Sequence, residues 1–439
     1  MNIQKHLIKA LLYGSLLLTS FQAFAQNPES IVVTINENGQ QKKENIELPM
    51  SMTYPLDSLL ADWKIKSYVS ADPDCTTTAI NPTFSDSVYI DRLSRLQNII
   101  EMPYNEVVKE FIEMYSGRLR ERVSFMLSAS NFYMPIFEEA LDAYNLPIEL
   151  KYLPIIESAL NPSAVSRAGA AGLWQFMLST GKLYGLESNS LVDERRDPIK
   201  STWAAVRYLK DLYDIYKDWN LVIAAYNCGP GNINKAIKRA GDKADYWAIY
   251  SYLPKETQGY VPSFIAANYV MTYYCKHNIC PMVTNIPMAT DTIQVNRNIH
   301  LQQIADVCGV DIDELKSLNP QYKQLIIPGE SKPQTLRLPQ NYVTTYIEKE
   351  DSVSAYKTSQ FFKNRRLVTA NTTNSRTRTT SASRASSSSS SAGATYHTIR
   401  KGETLSTIAS RYGVTVAKLR QLNGISGSNI TAGKRLRIK

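Results

Sequence analysis

Two stretches near the C-terminal end of this chain repeat one another at a constant distance. Leu301, Ile304, Ala305, Gly309, Val310, Leu315, Leu318 and Asn319 recur 104 residues later as Leu405, Ile408, Ala409, Gly413, Val414, Leu419, Leu422 and Asn423. A fixed offset over eight positions, with the apolar ones at helical spacing, specifies one small supersecondary unit built twice. Each copy reads as strand, helix, glycine turn, helix, strand; in the second these are 395–399, 405–412, 416–422 and 435–438. Between them, 369–394 is Ser, Thr and Arg with almost nothing apolar, including unbroken serine over 386–391. Such a segment cannot bury enough surface to offset its chain entropy and is expected to be a flexible tether. The chain is therefore modular, as its 439 residues also imply.

Residues 1–25 have the pattern of a secretory signal: Lys5 and Lys9, an apolar run over 10–21, then Ala23-Phe24-Ala25. The run is shorter than the roughly 20 apolar residues that span a bilayer. No cysteine lies beside it to carry a lipid, so cleavage is expected and membrane attachment is left open. Net charge is +9, concentrated at the C-terminal end: 351–439 holds sixteen Lys or Arg against Asp351 and Glu403, leaving 1–350 net acidic. For an exported chain this basic tail points to an anionic envelope polymer or membrane surface rather than nucleic acid. Export also permits disulfides, yet the cysteines number five, so at least one thiol is free or pairs outside the chain. Cys275 and Cys280 flank His277 but fall short of the four ligands a zinc site takes. A local disulfide or two buried thiols is expected there. Nothing calls for a metal or organic cofactor, and oligomeric state is not encoded legibly.

The stretch 150–175 reads LKYLPIIESALNPSAVSRAGAAGLWQ. In a helix, Leu150, Leu153, Glu157 and Leu160 share one face, which places a carboxylate in an apolar stripe. Burial disfavours its ionised form, and a carboxyl that keeps its proton near neutral pH is a general acid. Pro147 suits the first turn, Asn145 is available as a cap, and Asn161-Pro162 ends the helix just past Glu157. Gly169, Ala170, Ala171 and Gly172 then allow close approach by another chain, before Leu173-Trp174-Gln175 supplies an aromatic face and an amide. An acid, a slot and a stacking surface suit a sugar.

Elsewhere, Val107, Phe111, Met114 and Tyr115 form a helical stripe, as do Trp203, Val206, Leu209, Tyr213 and Tyr216. An apolar helix over 221–226 breaks at Asn227, where Tyr226 and Asn227 can reach a cleft. The acidic and basic segment Asp193-Glu194-Arg195-Arg196-Asp197 reads as a self-compensated loop capping the next helix. Residues 26–102 carry no motif, only a strand-like Ile31-Val32-Val33-Thr34-Ile35, and are read as an N-terminal extension.

Glu157-Ser158, Gly172-Leu173-Trp174-Gln175, Ala225-Tyr226-Asn227-Cys228-Gly229 and Leu253-Pro254-Lys255-Glu256-Thr257 with Tyr260-Val261-Pro262 resemble, in order and near spacing, the motifs of lytic murein transglycosylases, most closely the membrane-bound D type. The second repeat copy resembles a LysM domain, a binder of N-acetylglucosamine-containing glycans, with Gly402, Glu403, Thr404 and Leu405 at its first corner. The first copy has Asn298-Ile299-His300-Leu301 there instead. The resemblance implies a mainly α, lysozyme-like catalytic domain of the goose-type and soluble lytic transglycosylase class over 103–285, followed by small α+β modules of βααβ order. These are a divergent LysM-like module over 291–342, a linker over 351–394 and a LysM domain over 395–439. It implies a periplasmic or cell-envelope enzyme whose partner is peptidoglycan. Such an enzyme cuts the β-1,4 bond between N-acetylmuramic acid and N-acetylglucosamine and leaves 1,6-anhydromuramyl ends. Glu157 would be the catalytic acid/base and Tyr226 would hold it. Ser158, Gln175 and Asn227 would hydrogen-bond the substrate, and Trp174 and Tyr260 would line the cleft.

Two other readings fit the residues. A hydrolytic muramidase of the same fold needs a second carboxylate, with Asp193, Glu194 and Asp197 as the candidates. A non-catalytic wall-binding protein would use the cleft and the modules as anchors.

Overall fold

The helix Lys255–Tyr273 is enclosed on every side, with each residue over 257–271 buried. Its polar side chains must therefore find partners inside the protein. Gln258 Nε2 donates to Tyr250 O at 3.0 Å, Asn268 Nδ2 to Phe264 O at 2.9 Å, and Ser263 lies 3.3 Å from the Tyr115 hydroxyl. Pro262, in mid-helix, removes the N–H that would bond Gln258 O. Tyr246 fills that gap, its hydroxyl donating to Gln258 O at 2.9 Å. Around this central helix pack Glu106–Ser116, Trp219–Cys228 and the short helix Leu153–Ser158. The long helices Arg120–Ala143 and Pro198–Tyr216 pack on each other beside them. The expected stripes face this core: Val107, Phe111, Tyr115, Val206 and Leu209 are all buried. The computed structural model describes residues 30–37, 40–63, 70–71, 80–96, 99–283, 289–362, 396–399, 403–412, 414–425 and 433–438.

Residues 26–102, expected to be an extension outside the catalytic unit, contribute to its core, which corrects that boundary. Ser30–Glu37 and Gln40–Glu47 form an antiparallel hairpin in which Ile31 pairs with Ile46 and Val33 with Glu44. Val33, Ile46, Leu48, Met52, Leu59 and Tyr89 belong to the same hydrophobic core as Phe111 and Phe264. Gly259 explains how close the hairpin comes: a Cβ there would stand 2.8 Å from Glu47 O and 2.9 Å from Ile46 Cγ2. Only glycine lets the central helix meet a strand backbone at that distance.

The first repeat copy packs within the same compact unit. Its strands pair as Thr290–Val295 with Gln334–Pro339 and Asn298–His300 with Ile326–Pro328, enclosing the helices Leu301–Cys308 and Ile312–Leu318. Gln340–Ala355 is a further helix laid against Leu301–Cys308, and Thr358–Phe361 follows it. The module thus continues past 342, and a linker starting at 351 is corrected accordingly. Residues 363–395, which hold the Ser/Thr/Arg tract, lie outside the described residues, as do 1–25. Leu191 and Val192 of the catalytic unit enter the module's own core, with Val192 bridged to Tyr322.

The second copy pairs Tyr396–Thr398 with Arg435–Arg437 across the helices Leu405–Tyr412 and Val416–Asn423. The repeat is physical. Asn319 Nδ2 donates to Leu315 O and Arg337 O at 2.9 and 2.8 Å while its Oδ1 accepts from Arg337 N. Asn423 does the same with Leu419 and Arg437. In each module one asparagine ties the second helix to the last strand.

Cys280 is in a disulfide, whereas Cys275 is free and exposed. Both alternatives expected there, a local disulfide or two buried thiols, are corrected: Cys280 is bonded to a cysteine other than Cys275, and the Cys275 thiol is exposed. Cys228 and Cys308 are also free. His277 is wholly buried, with Nδ1 3.2 Å from Asn81 Oδ1 and Nε2 3.2 Å from the Tyr269 hydroxyl. Burial pulls its pKa down to about 4. Among the described residues no helix is long and apolar enough to cross a membrane.

Candidate active site

Glu157 stands next to last in the helix Leu153–Ser158, which continues a 3-10 turn over Ile148–Tyr152. Leu150, Leu153 and Leu160 of its stripe are fully buried. Beyond Ser158 the backbone turns left-handed at Ala159 (φ 51°) and Leu160 (φ 60°), and Gln175 across the loop is left-handed too (φ 45°). Non-glycine residues hold that conformation only where their surroundings enforce it, at a cost of about 1–3 kcal/mol each. Three of them beside one carboxylate mark a site held in shape by its packing.

Glu157 opens into a cavity of about 260 Å³ that Gln175, Tyr226, Asn227, Glu256 and Tyr260 also line. Burial raises its pKa to about 8; the hydrogen bond it accepts from the Tyr260 hydroxyl at Oε1 pulls it down, and the charge of Glu256 pushes it up. With Oε1 accepting, the carboxyl proton belongs on Oε2. Burial therefore favours the protonated form of this carboxyl near neutral pH.

The loop opposite is built on Gly172 and Arg195. At φ +86° Gly172 takes a conformation open to glycine, and a Cβ there would lie 1.8 Å from Arg195 O. Arg195 Nη1 donates to Gly169 O at 2.8 Å and Phe176 O at 3.0 Å, clamping both ends of the loop that carries Gln175. Gln175 Nε2 bonds Gly172 O at 2.8 Å and Ala164 O at 3.3 Å. Both of its donor hydrogens are thus used, which leaves Oε1 as an acceptor. Asn227 is set the other way: Thr257 Oγ1 donates to its Oδ1 at 2.7 Å, which orients its amide NH₂ as a donor.

Several expectations change here. Tyr226 does not hold Glu157. Its hydroxyl donates to Trp174 O at 2.8 Å and so pins the Gln175 loop, while Tyr260 takes the role expected of Tyr226. Trp174 does not line the cleft: it is fully buried, with its indole N–H on Thr202 Oγ1 at 2.9 Å. Ser158 is buried as well, its hydroxyl bonded to Pro154 O and Leu173 O at 3.0 and 2.9 Å. A large aromatic next to an amide reads as a sugar platform in sequence, and only packing shows which way it turns.

The acids named as muramidase candidates are committed elsewhere. Asp193 receives Arg195 Nε and Nη2 at 2.9 and 2.8 Å. Glu194 binds Lys200 Nζ and Glu187 N, and Asp197 caps the next helix through Ile199 N and Lys200 N. All three are buried, and none lines the cavity. The carboxylate that shares it with Glu157 is Glu256. Glu256 stands in the Leu253–Thr257 motif with no role assigned from sequence; its spacing of four from Tyr260 on one helix face is the signal that points to it. Pro49 and Met50, from the N-terminal extension, also line the cavity and had no sequence signal.

In the second module Glu403 lies 2.7 Å from His397 Nε2, and Thr404 is exposed, with its N–H on Thr407 Oγ1. Leu405 is buried in the module's core, so it supports this corner and is not presented to a ligand. Gly402 lies outside the described residues.

Three family models match the chain: a transglycosylase SLT domain over 134–249, a lytic transglycosylase MltD LysM-like domain over 289–355, and a LysM domain over 397–439. A solved structure of the 70 kDa soluble lytic transglycosylase of Escherichia coli is 27% identical, with a TM-score of 0.29 over 32% of this chain and 24% of that one. The soluble lytic murein transglycosylase of Escherichia coli strain K12 is 30% identical over 124 residues, 27% of this chain and 19% of the relative. The membrane-bound lytic murein transglycosylase D of the same strain is 32% identical over 344 residues, 77% of this chain and 70% of the relative. With that identity over 77% of its length, the chain belongs to the lytic murein transglycosylase family, of the membrane-bound D type.

Proposed function

We propose that Glu157 is the single acid/base with which this lytic transglycosylase cuts peptidoglycan between N-acetylmuramic acid and N-acetylglucosamine. The neutral carboxyl gives its Oε2 proton to the glycosidic oxygen as the bond to the muramyl C1 breaks. The muramyl C6 hydroxyl then closes on C1 while Glu157, now a carboxylate, takes the hydroxyl proton. Atoms balance without water, and the product end is 1,6-anhydromuramyl. The nucleophile is tethered to the reacting sugar, so little entropy is lost in bringing it to C1 and one residue serves both steps. Gln175 as acceptor and Asn227 as donor suit the N–H and C=O of an N-acetyl group. Export to the periplasm through residues 1–25, and retention on the wall by the LysM module, complete the reading.

The observation that supports it is the carboxyl of Glu157, protonated near neutral pH by burial, in a cavity lined by conformationally committed polar groups. The test is the mass of muropeptides released from purified peptidoglycan. Ends lighter than reducing ends by one water support transglycosylation. Reducing ends would mean hydrolysis, with Glu256 as the carboxylate placed to activate water.

A further inference from the structure

A second cavity, of about 440 Å³, adjoins the catalytic one, and Met50 and Glu256 line both. One wall is the N-terminal hairpin and the turn after it, including Asn45, Glu47 and Tyr54; the facing wall is Val165 and Arg167 of the cleft loop. The hairpin wall is fixed in place. Gly259 admits Glu47 O against the central helix, Lys255 Nζ binds Glu44 Oε1 at 3.0 Å, and the Ser51 hydroxyl donates to Ile156 O, one residue before Glu157.

The lining identifies the ligand's chemistry. The sugars of a stem-bearing glycan strand are uncharged, because each muramyl lactyl carboxyl is taken up in the amide to its stem, and neighbouring sugars would be met by amides, hydroxyls and aromatic faces. This wall instead sets one guanidinium, on exposed Arg167, against two exposed carboxylates, Glu47 and Glu256. Groups of both signs in one cavity read a ligand that itself carries both signs. In peptidoglycan that ligand is the peptide stem on the muramyl sugar, with its carboxylates and, where it holds a diamino acid, a side-chain ammonium. The stem leaves the very sugar whose bond Glu157 would break, and the cavity opens from the wall beside Glu157.

We propose that this cavity receives the substrate's peptide stem, with Arg167 binding a stem carboxylate and Glu47 and Glu256 binding its ammonium. The proposal rests on the reading of Glu157 given above. The N-terminal hairpin is then a specificity element of the enzyme.

The test uses the full chain on glycan strands that bear stems and on the same strands stripped of stems by an amidase. Arg167→Ala is expected to lower kcat/KM on stem-bearing strands by about tenfold or more, chiefly through KM, the scale of one charged hydrogen bond. The loss on stripped strands is expected to be several-fold smaller. Equal losses on both substrates would show that the cavity reads sugar, and no loss on either that it is unused; both overturn the proposal. A second measurement titrates the Glu157→Gln chain with a disaccharide-tetrapeptide and with the bare disaccharide. Tighter binding of the first supports the stem site, and equal affinities overturn it. Turnover by Glu157→Gln would instead sink the acid/base reading, so the two failures are separable.

Discussion

The Tyr260 hydroxyl donates to Glu157 Oε1 across 103 residues of sequence, joining the end of a short helix to the face of the central one. The same bond positions the carboxyl and pulls its pKa down against burial. Activity that needs the protonated form is expected to decline as pH rises through about 8. Removing the donor with Tyr260→Phe should lower kcat by about tenfold or more and move this alkaline limb to higher pH. Glu256→Gln removes a charge that raises the Glu157 pKa, so its limb should move to lower pH. Profiles of kcat/KM against pH for the three chains check both directions; a common shift would break the assignment.

Stability should carry the same signature. The folded pKa of Glu157 lies above the ordinary 4.5, so between these values the folded chain holds a proton that the unfolded chain has lost. The linked stabilisation is complete below the unfolded value and disappears as pH rises through about 8, a loss on the order of 5 kcal/mol. Glu157→Gln cannot titrate. Urea unfolding at pH 5 and pH 9 should show the variant gaining on the wild type at the higher pH, together with a loss of activity of at least about a thousandfold. A stability difference that ignores pH would mean that Glu157 is not buried as an acid.

Asp193 and Arg195 form a buried ion pair at 2.8 Å, with side chains 2% and 9% exposed. Burial pushes the Asp193 pKa up, but its bond to Arg195 and the surrounding positive charges hold it below the ordinary value. Asp193→Asn leaves the guanidinium without its counter-charge and should cost about 3–5 kcal/mol. Lys323, 3.8 Å from Asp193 and 32% exposed, reaches in from the LysM-like module, and its replacement by Ala should cost under about 1 kcal/mol. Denaturation of both variants tests the ranking.

Gly172→Ala forces a Cβ to within 1.8 Å of Arg195 O at a φ of +86°. A loss of at least about 3 kcal/mol is expected, with activity falling further than stability because the Gln175 loop must move. Thermal unfolding and turnover at a temperature where the variant is folded separate the two effects.

Deleting 369–439 removes the second module. A glycan-binding module on the same chain raises local substrate concentration without adding catalytic contacts, so the loss should be larger on whole peptidoglycan than on short soluble fragments. Equal losses would count against that role.

Much of this was legible in the chain. The apolar stripe around Glu157, the break after it and the small residues beyond are local properties, set by residues within a few turns of one another. The 104-residue repeat was legible because each copy buries its own small core, so Leu315 and Leu419 must recur in place. The site's partners were less so. Trp174 and Tyr260 are both aromatic residues of the family-like motifs, yet one turned inward onto Thr202 and the other onto the acid.

The amino-acid sequence by itself determined the apolar stripe that carries Glu157, the helical class of the catalytic unit and its modular order, because periodicity, turns and composition act over short chain distances. Tertiary structure alone decided which hydroxyl touches the acid, which carboxylate shares its cavity, and that the motif-free hairpin over 30–47 forms a cavity wall. Those contacts join residues about a hundred or more positions apart. They depend on close approaches, such as Glu47 against Gly259, that no local pattern records.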